Sequence, residues 1–225
     1  LLAEAKPGAG GFVDPGIAAR VLAAYGIGSA RKVIARNAEE AAATARRLGF
    51  PVVLKVVSPD ITHKSDVGGV ALGLTDPEAV AVAFREVTEN PAVRQPGARV
   101  LGASVERMLP DGQDVILGAI RDDQFGPLVM FGAGGVEVEG LPDVAFARAP
   151  LSRTEADGLL ETTWAGRRLH GFRNLPPADR SSALEALLRL GQLAADLKAS
   201  GRRITAFCMY NRFEERPNFE IARCA

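Results

Sequence analysis

Apolar residues recur at helical spacing along several stretches of the chain, and each stretch begins at a residue type that caps helices. Asp14 and Asp76 are each followed by a proline at the first helical position, and Asn37 and Ser152 each have a glutamate three residues later. A glycine follows each of the first two patterns, where helices commonly end. We predict helices over about 15–25, from Asn37 to Gly49, from Asp76-Pro77 through Val87, a short one after Ser152 and a longer one through Leu184–Leu197.

Runs of β-branched and other apolar residues alternate with these helices. The run Pro51–Val57 is apolar on both faces, which is typical of a strand covered on each side. Glycines interrupt the next run, Val67–Leu74. We predict strands at 51–57, 67–74, 100–108, 115–120, 127–131 and 136–139.

The interleaved helices and strands predict an α/β protein made of two α+β lobes. The first lobe spans 1–100 and includes a helical lead-in to about residue 26, and the second spans 101–200. Residues 201–225 form an atypical tail, because the composition changes abruptly near Gly201.

Composition and charge argue against several classes of protein. Lys+Arg and Asp+Glu both number 27, so no field of one sign favours a nucleic acid or an anionic membrane surface as partner. Two cysteines and two histidines are too few for a disulfide framework or a Cys/His zinc site. With no apolar run near the roughly 20 residues of a membrane span and no leader pattern, we expect a cytoplasmic protein.

Lys55 is the first candidate for chemistry. An ammonium group within an apolar strand is costly unless an anion or an acid partners it. Two interpretations stay open at this point: a lysine at a sheet edge whose amine reaches water, or a contact to phosphate.

A second candidate is the polar, glycine-containing segment 58–70 between two predicted strands. Gly68 and Gly69 would allow backbone N–H groups to approach an anion, and His63 and Lys64 would add charge or a transferable proton. A surface hairpin with an incidental histidine would look similar, so the spacing alone leaves both interpretations open.

Several stretches resemble the ATP-grasp domain, or β subunit, of NDP-forming acyl-CoA synthetases, such as the ADP-forming acetyl-CoA synthetases, and the matching domain of related protein acetyltransferases. The resemblance covers about residues 8–198, and its 49–74 stretch is highly specific. It is carried by Tyr25-Gly26-Ile27, GFPVVLKVVSPDITHKSDVGGVALGL at 49–74, RDDQFGPLVMFGAGGVEVEG at 121–140, DVAFARAPLS at 143–152 and LHGFRNLPPAD at 169–179.

The resemblance implies an ATP-grasp fold, in which the nucleotide lies between two lobes, and it implies roles for matching residues. His63 resembles a histidine that relays the phosphoryl group, and Lys55 resembles a strand lysine that contacts ATP phosphates. Val105–Met108 resembles the hinge that holds adenine. The resulting ATP-binding candidates are Lys55, Lys64, Gly68, Gly69, Glu106, Met108 and Asp114, the last an acid after the hinge without an assigned role.

The reaction implied by the resemblance is the reversible conversion of acid, CoA and ATP to acyl-CoA, ADP and phosphate through a phosphohistidine. Binding of CoA and the acyl group would belong to a separate α domain or subunit as partner. ATP or ADP and Mg²⁺ are the implied cofactors. Phosphoryl transfer depends mainly on positioning and charge neutralisation, which suits a lysine and a glycine-rich segment.

The tail departs from the family pattern. Members of the family end in an acid-Ile-Asn-Pro stretch and a Leu-Asp-Ala-Arg strand that supply Mg²⁺ ligands, whereas 202–225 contains no Asp, Gly, Val or Leu. We therefore assign no metal ligand. We also expect uncovered core surface in the second lobe, with reduced stability or poor order after about 200. The alternative function is a non-catalytic or truncated nucleotide-binding module.

Overall fold

Two compact units make up the chain. Residues are described here from a computed structural model that covers 1–5, 13, 15–28, 32–61, 64–108, 112–134, 143–201, 207–213 and 222–223. The central unit comprises Ala30–Pro110, and the flanking unit combines Leu1–Ser29 with Asp111–Cys224. The flanking unit is thus built from both ends of the chain, a division that differs from the predicted lobes 1–100 and 101–200.

The central unit is a four-stranded antiparallel sheet with two helices. The strand order is β1-β4-β2-β3, so β4 lies between β1 and β2. Its elements are β1 (Lys32–Ala35), α2 (Ala38–Leu48), β2 (Val52–Val57), β3 (Val70–Leu74), α3 (Pro77–Arg94) and β4 (Gly102–Arg107), and α1 (Pro15–Ala24) precedes them in the chain.

Local sequence signals account for both helices of the central unit. The Asn37 side chain accepts a hydrogen bond from the Glu40 amide, and the Glu40 carboxylate accepts one from the Arg36 amide, which confirms the predicted start of α2. Asp76 caps α3 in the same way, with Pro77 at its first position. As the spacing predicts, the side chains that α3 buries include Val80, Phe84 and Val87.

Strand β2 has one fully buried face. Val52, Leu54 and Val56 have no exposed surface, whereas Lys55, on the opposite face, is half-buried. The predicted strand 67–74 is shorter in the structure, because residues 64–68 form a turn and β3 begins at Val70. The extra residues are needed to reverse the chain before it pairs with β2.

The flanking unit is a five-stranded antiparallel sheet in the order β7-β6-β5-β8-β9. Side chains from the sheet, from α1 and from the later helices form one buried apolar cluster. The remaining elements are β5 (Gln113–Asp122), β6 (Gly126–Ala133), β7 (Val144–Arg148), α4 (Arg153–Thr162), α5 (Trp164–Arg168), α6 (Arg180–Ala199), β8 (Phe207–Phe213) and β9 (Ala222–Arg223).

The tail supplies two strands of this sheet. Strand β8 pairs antiparallel with β5, with Phe213 opposite Gln113 and Phe207 opposite Ala119. The altered tail thus still pairs with β5, because backbone hydrogen bonds of a strand do not require a particular sequence. The expected loss of stability or order after about residue 200 stays a prediction. The predicted strand 136–139 lies outside the described residues.

The N-terminal part of the flanking unit is held by apolar packing and by one polar contact. Val21, Leu22 and Ile27 are buried in the cluster of this unit. The Tyr25 hydroxyl donates to Asp196 of α6 at 2.6 Å, and burial together with this carboxylate raises the pKa of Tyr25 to about 12. Among the described residues, no helix is long and apolar enough to cross a membrane.

Candidate functional site

A carboxylate between two lysines marks one face of the central sheet. Glu106 lies on the middle strand β4, directly opposite Lys32 of β1. The Lys55 amine of β2 lies 2.7 Å from Glu106 Oε2, and the Lys32 amine lies 3.8 Å from Oε1. We call these three residues the Lys–Glu–Lys group; its formal charge leaves one positive charge uncompensated.

Ser104 fixes the orientation of the Glu106 carboxylate. Two residues before Glu106 on β4, Ser104 has no exposed surface, and its hydroxyl lies 3.0 Å from Glu106 Oε1. The same hydroxyl lies 3.3 Å from the Lys55 carbonyl oxygen, so it links β4 to β2. A buried hydroxyl needs such partners, and here they hold the carboxylate at the lysines.

The charges of the group stabilise one another. Burial raises the pKa of Glu106, but the Lys55 charge and hydrogen bond, the Lys32 charge and the Ser104 hydroxyl outweigh it, so that the pKa lies below its ordinary value. The Glu106 side chain is 12% exposed, Lys55 31% and Lys32 42%. Both lysine side chains therefore remain partly exposed to solvent.

The predicted glycine segment forms a tight turn before β3. The Gly68 amide donates to the Ser65 carbonyl at 3.1 Å, and the Gly69 amide donates to the Lys64 carbonyl at 2.8 Å. The role predicted for these glycines was to present amides to a phosphate; in this structure both amides are engaged within the turn. Gly68 has a φ of 70°, which favours glycine.

Gly69 is required for a different reason. A Cβ atom at this position would lie 2.5 Å from Val56 Cγ1, and the Gly69 carbonyl accepts the Val56 amide at 2.7 Å. The turn is thus packed directly onto the end of β2. His63 lies outside the described residues, although Ile61 before it and Lys64 after it are described.

The other predicted residues have separate surroundings. Met108 follows β4 and donates its amide to the Pro51 carbonyl at 2.9 Å. Asp114 lies on β5 of the flanking unit, opposite Arg212 of β8. The structure therefore brings Lys55 and Glu106 into contact, places Lys64, Gly68 and Gly69 in the turn, and assigns Asp114 to the other unit.

No metal centre is visible among the described residues, which contain no group of three or more His, Cys, Asp or Glu side chains placed to hold an ion. The Lys–Glu–Lys group is instead a cationic feature, because it presents two ammonium groups beside one carboxylate.

Lys32 and Ser104 were missed by sequence reasoning. Lys32 begins a four-residue strand, and Ser104 is a single polar residue within an apolar run. Only the register of β1 against β4 shows that Lys32 meets Glu106, whereas Ser104 lies two residues before Glu106 on the same strand. A polar residue within an apolar strand was the available signal, and at Ser104 it was not used.

Comparisons with known proteins show the family to which the chain belongs. A family model described as an ATP-grasp domain matches residues 10–201. The chain is 40% identical over 195 residues to ADP-forming acetate–CoA ligase I subunit beta of Pyrococcus furiosus and covers 82% of it. It is 48% identical over 176 residues to ADP-forming acetate–CoA ligase I of Archaeoglobus fulgidus, but spans only 26% of that longer protein.

Solved structures of one archaeal enzyme are also similar. Dinucleotide forming acetyl-coenzyme A synthetase 1 of Ca. Korarchaeum cryptofilum, in complex with coenzyme A, Ca-AMPCP and HgCl+, matches with a TM-score of 0.82 and 38% identity, over 90% of this chain and 87% of that one. A second structure of that enzyme holds coenzyme A and Mg-AMPPCP, with a phosphohistidine segment pointing towards the nucleotide binding site; its TM-score is 0.72 at 37% identity, over 86% and 82% of the two chains.

Proposed function

This chain belongs to the ATP-grasp domain family, in the branch that contains the β subunits of ADP-forming acetate–CoA ligases, and we propose that it is the nucleotide-binding part of an ADP-forming acyl-CoA ligase. The observation that carries the proposal is the Lys–Glu–Lys group, which presents two ammonium groups on one sheet face. In this proposal the complete activity also needs a CoA-binding α domain or subunit; the similar protein named as a beta subunit supports this, as does the 26% span of the longer relative.

Lys55 and Lys32 are the proposed contacts for the nucleotide phosphates. A lysine ammonium has three donor hydrogens, so pairing with Glu106 leaves Lys55 able to bind a phosphate oxygen as well. Glu106 lowers the cost of burying the lysines while no nucleotide is bound. A polyphosphate carries more negative charge than Glu106. It would then take the place of this carboxylate at the two lysines, or bind the lysines together with it.

His63 is the proposed phosphoryl acceptor. An imidazole nitrogen would attack the γ-phosphorus of ATP; the bond to the bridging oxygen breaks and ADP leaves with its electron pair. The phosphohistidine would later donate its phosphoryl group to the substrate bound at the CoA-binding partner. The resemblance of the HKSD stretch at 63–66 supports this assignment, as does the phosphohistidine segment of a similar synthetase structure.

Met108, Glu106 and Asp114 remain proposed nucleotide contacts, with Met108 and the backbone around it at the adenine. Lys64, Gly68 and Gly69 remain proposed phosphate-side residues. Mg²⁺ would supply charge neutralisation on the phosphates when bound. Because the described side chains offer no acidic cluster for it, no step of the proposed chemistry is assigned to a metal ligand of this chain.

Radiolabelled ATP tests the proposed function. Incubation of the chain with ATP labelled at the γ-phosphate and Mg²⁺ should give an acid-labile, base-stable protein label, as phosphohistidine does. His63→Ala should abolish that label, while His170→Ala, the matched control for the other histidine, should retain it. A wild-type chain that binds nucleotide but takes no label would favour the alternative, a non-catalytic nucleotide-binding module.

A further inference from the structure

Three large apolar side chains of the flanking unit lie exposed beside α5. Trp164, Phe172 and Leu175 are 37%, 41% and 44% exposed. The rings of Trp164 and Phe172 meet edge to face with their centroids 4.8 Å apart, and backbone hydrogen bonds in both directions join Phe172 to Leu175 in a tight hairpin. The described apolar cluster of this unit includes none of the three. These side chains therefore form an apolar surface that the packing of the core does not explain.

Arg173 adds a cation to this surface at a backbone position that disfavours it. Its φ is 52°, in the left-handed region where glycine or asparagine is more common. The guanidinium carbon lies 5.2 Å from the centroid of the Phe172 ring, within the range of a cation–π contact. An arginine held in this conformation at an exposed turn points to a function of the surface.

One buried side chain holds both ends of the hairpin. Gln113 begins β5 and is 5% exposed; its Nε2 donates to the Arg168 carbonyl at 3.0 Å and to the Pro176 carbonyl at 2.9 Å. The Ala178 amide adds a hydrogen bond to the Leu169 carbonyl at 2.9 Å. The exposed residues therefore stand on a fixed base, which lowers the entropy cost of binding a partner.

The charge of the surface argues against a second copy of the chain as its partner. Glu161 already pairs with His170 and Arg180, and the Asp143 carboxylate accepts the first two amides of α5 at 2.7 Å. Among the described residues, neither of these neighbouring acids pairs with Arg173. A two-fold contact would bring the same cationic surface of two copies together. A partner surface with a carboxylate beside an apolar pocket fits better.

We propose that Trp164, Phe172, Arg173 and Leu175 form the docking surface for the CoA-binding α domain or subunit, which meets them with an apolar pocket and a carboxylate. Tryptophan and arginine are among the residue types that most often carry the binding energy of protein interfaces. This inference rests on the proposed function, which needs such a partner, and goes beyond it by naming the surface that binds it. The similar proteins include both a β subunit and a longer chain, of which this chain spans 26%.

Binding of the α partner tests this docking surface directly. The purified CoA-binding α domain or subunit of the same organism is titrated into the wild-type chain and its variants by calorimetry. Phe172→Ala and Arg173→Glu should each raise the dissociation constant at least about tenfold, as residues at the centre of an interface do. Phe125→Ala and Arg121→Glu, matched changes at exposed residues of the same unit, should stay within about twofold of wild type. Wild-type affinity in either Phe172→Ala or Arg173→Glu would overturn the proposal.

Labelling from ATP separates this proposal from the function of His63. Both docking variants should take the label at the wild-type rate without α, since none of the four surface residues is a proposed nucleotide contact. A wild-type chain that takes label but does not bind α would overturn the docking surface alone. Binding of α that depends on Phe172 and Arg173, without any label, would overturn the function of His63 alone.

Sedimentation of the chain by itself tests the other occupant. We expect Phe172→Ala to leave the oligomeric state of the chain unchanged. A wild-type dimer that Phe172→Ala dissociates would assign the surface to a second copy and overturn its assignment to the α partner.

Discussion

Lys55 illustrates how much a single charged residue in an apolar strand can indicate. Its sequence left two interpretations, a lysine reaching water and a phosphate contact. The structure adds a partner, since Glu106 Oε2 lies 2.7 Å from the amine. A pair of this kind lowers the cost of half-burying the lysine, because the carboxylate compensates its charge.

Glu106→Gln should destabilise the chain, because it leaves two neighbouring ammonium groups without a carboxylate. We expect the free energy of unfolding to fall by about 1–3 kcal/mol at pH 7, the usual cost of unpairing a buried polar group. Urea denaturation measures this free energy. The control Glu185→Gln, which removes the exposed Arg153–Glu185 ion pair, should change the free energy of unfolding by less than about 0.5 kcal/mol.

The loss of stability expected for Glu106→Gln should depend on pH in a defined direction. The pKa of Glu106 is lowered in the folded state, so its contribution is present above the ordinary value of 4.5 and is lost as pH falls through the folded value. The difference between wild type and Glu106→Gln should therefore shrink on acidification. A difference that grows below pH 4 would contradict the ion pairing.

At the scale of elements, helices with local capping signals were predicted, whereas short strands that depend on long-range pairing were missed. Helices α2, α3 and α4 were predicted because caps such as Asn37, Asp76 and Ser152 act within one turn, and all three caps are present. Strands β1 and β7 and the short helix α5 were missed. β1 and β7 have only four and five residues, so their apolar runs are short, and β7 buries none of its residues completely.

The contact between Lys55 and Glu106 could not be predicted from the sequence for a related reason. Lys55 and Glu106 were each selected, one from its strand and the other from the family resemblance. They are 51 residues apart, and their contact depends on the register of β2 against β4. Register follows from packing and backbone pairing across the sheet, which the residue pattern of one strand does not specify.

Gly69→Ala tests the packing of the turn onto β2. The added methyl group would lie 2.5 Å from Val56 Cγ1, so either the turn or Val56 must move. We expect a loss of about 1–3 kcal/mol in the free energy of unfolding together with weaker ADP binding.

Gly158→Ala is the matched control for that substitution. Gly158 lies within α4, and no atom lies within 4 Å of its added Cβ. The same chemical change should therefore stabilise the chain by up to about 1 kcal/mol through helix propensity. Equal effects of the two variants in thermal denaturation would show that the turn tolerates a side chain.

At the scale of the whole molecule, the main difference from the predicted lobes is that residues 1–29 belong to the same unit as the C-terminal half of the chain. Ile27 and Leu22 are buried among side chains of the later helices and strands. The Tyr25–Asp196 hydrogen bond joins positions 171 residues apart. The flanking unit therefore contains contacts between residues far apart in the sequence.

Tyr25→Phe should remove this polar link at little steric cost. We expect a loss of about 1 kcal/mol near neutral pH, typical of one hydrogen bond. The folded pKa is raised to about 12 from 10.0, so the contribution is complete below pH 10 and is lost as pH rises towards 12. Urea unfolding at pH 8 and pH 11 should show a larger difference at pH 8; the opposite order would contradict the assigned contact.

Nucleotide binding by calorimetry tests the central claim most directly. ADP and ATP should bind the wild-type chain with micromolar dissociation constants, more tightly with Mg²⁺. Lys55→Ala should weaken binding by about 1–3 kcal/mol, as expected for a charge-assisted contact, while Lys198→Ala in the flanking unit should leave it unchanged. Wild-type affinity in Lys55→Ala, or no binding by the wild-type chain, would contradict the assignment of the Lys–Glu–Lys group as the phosphate site.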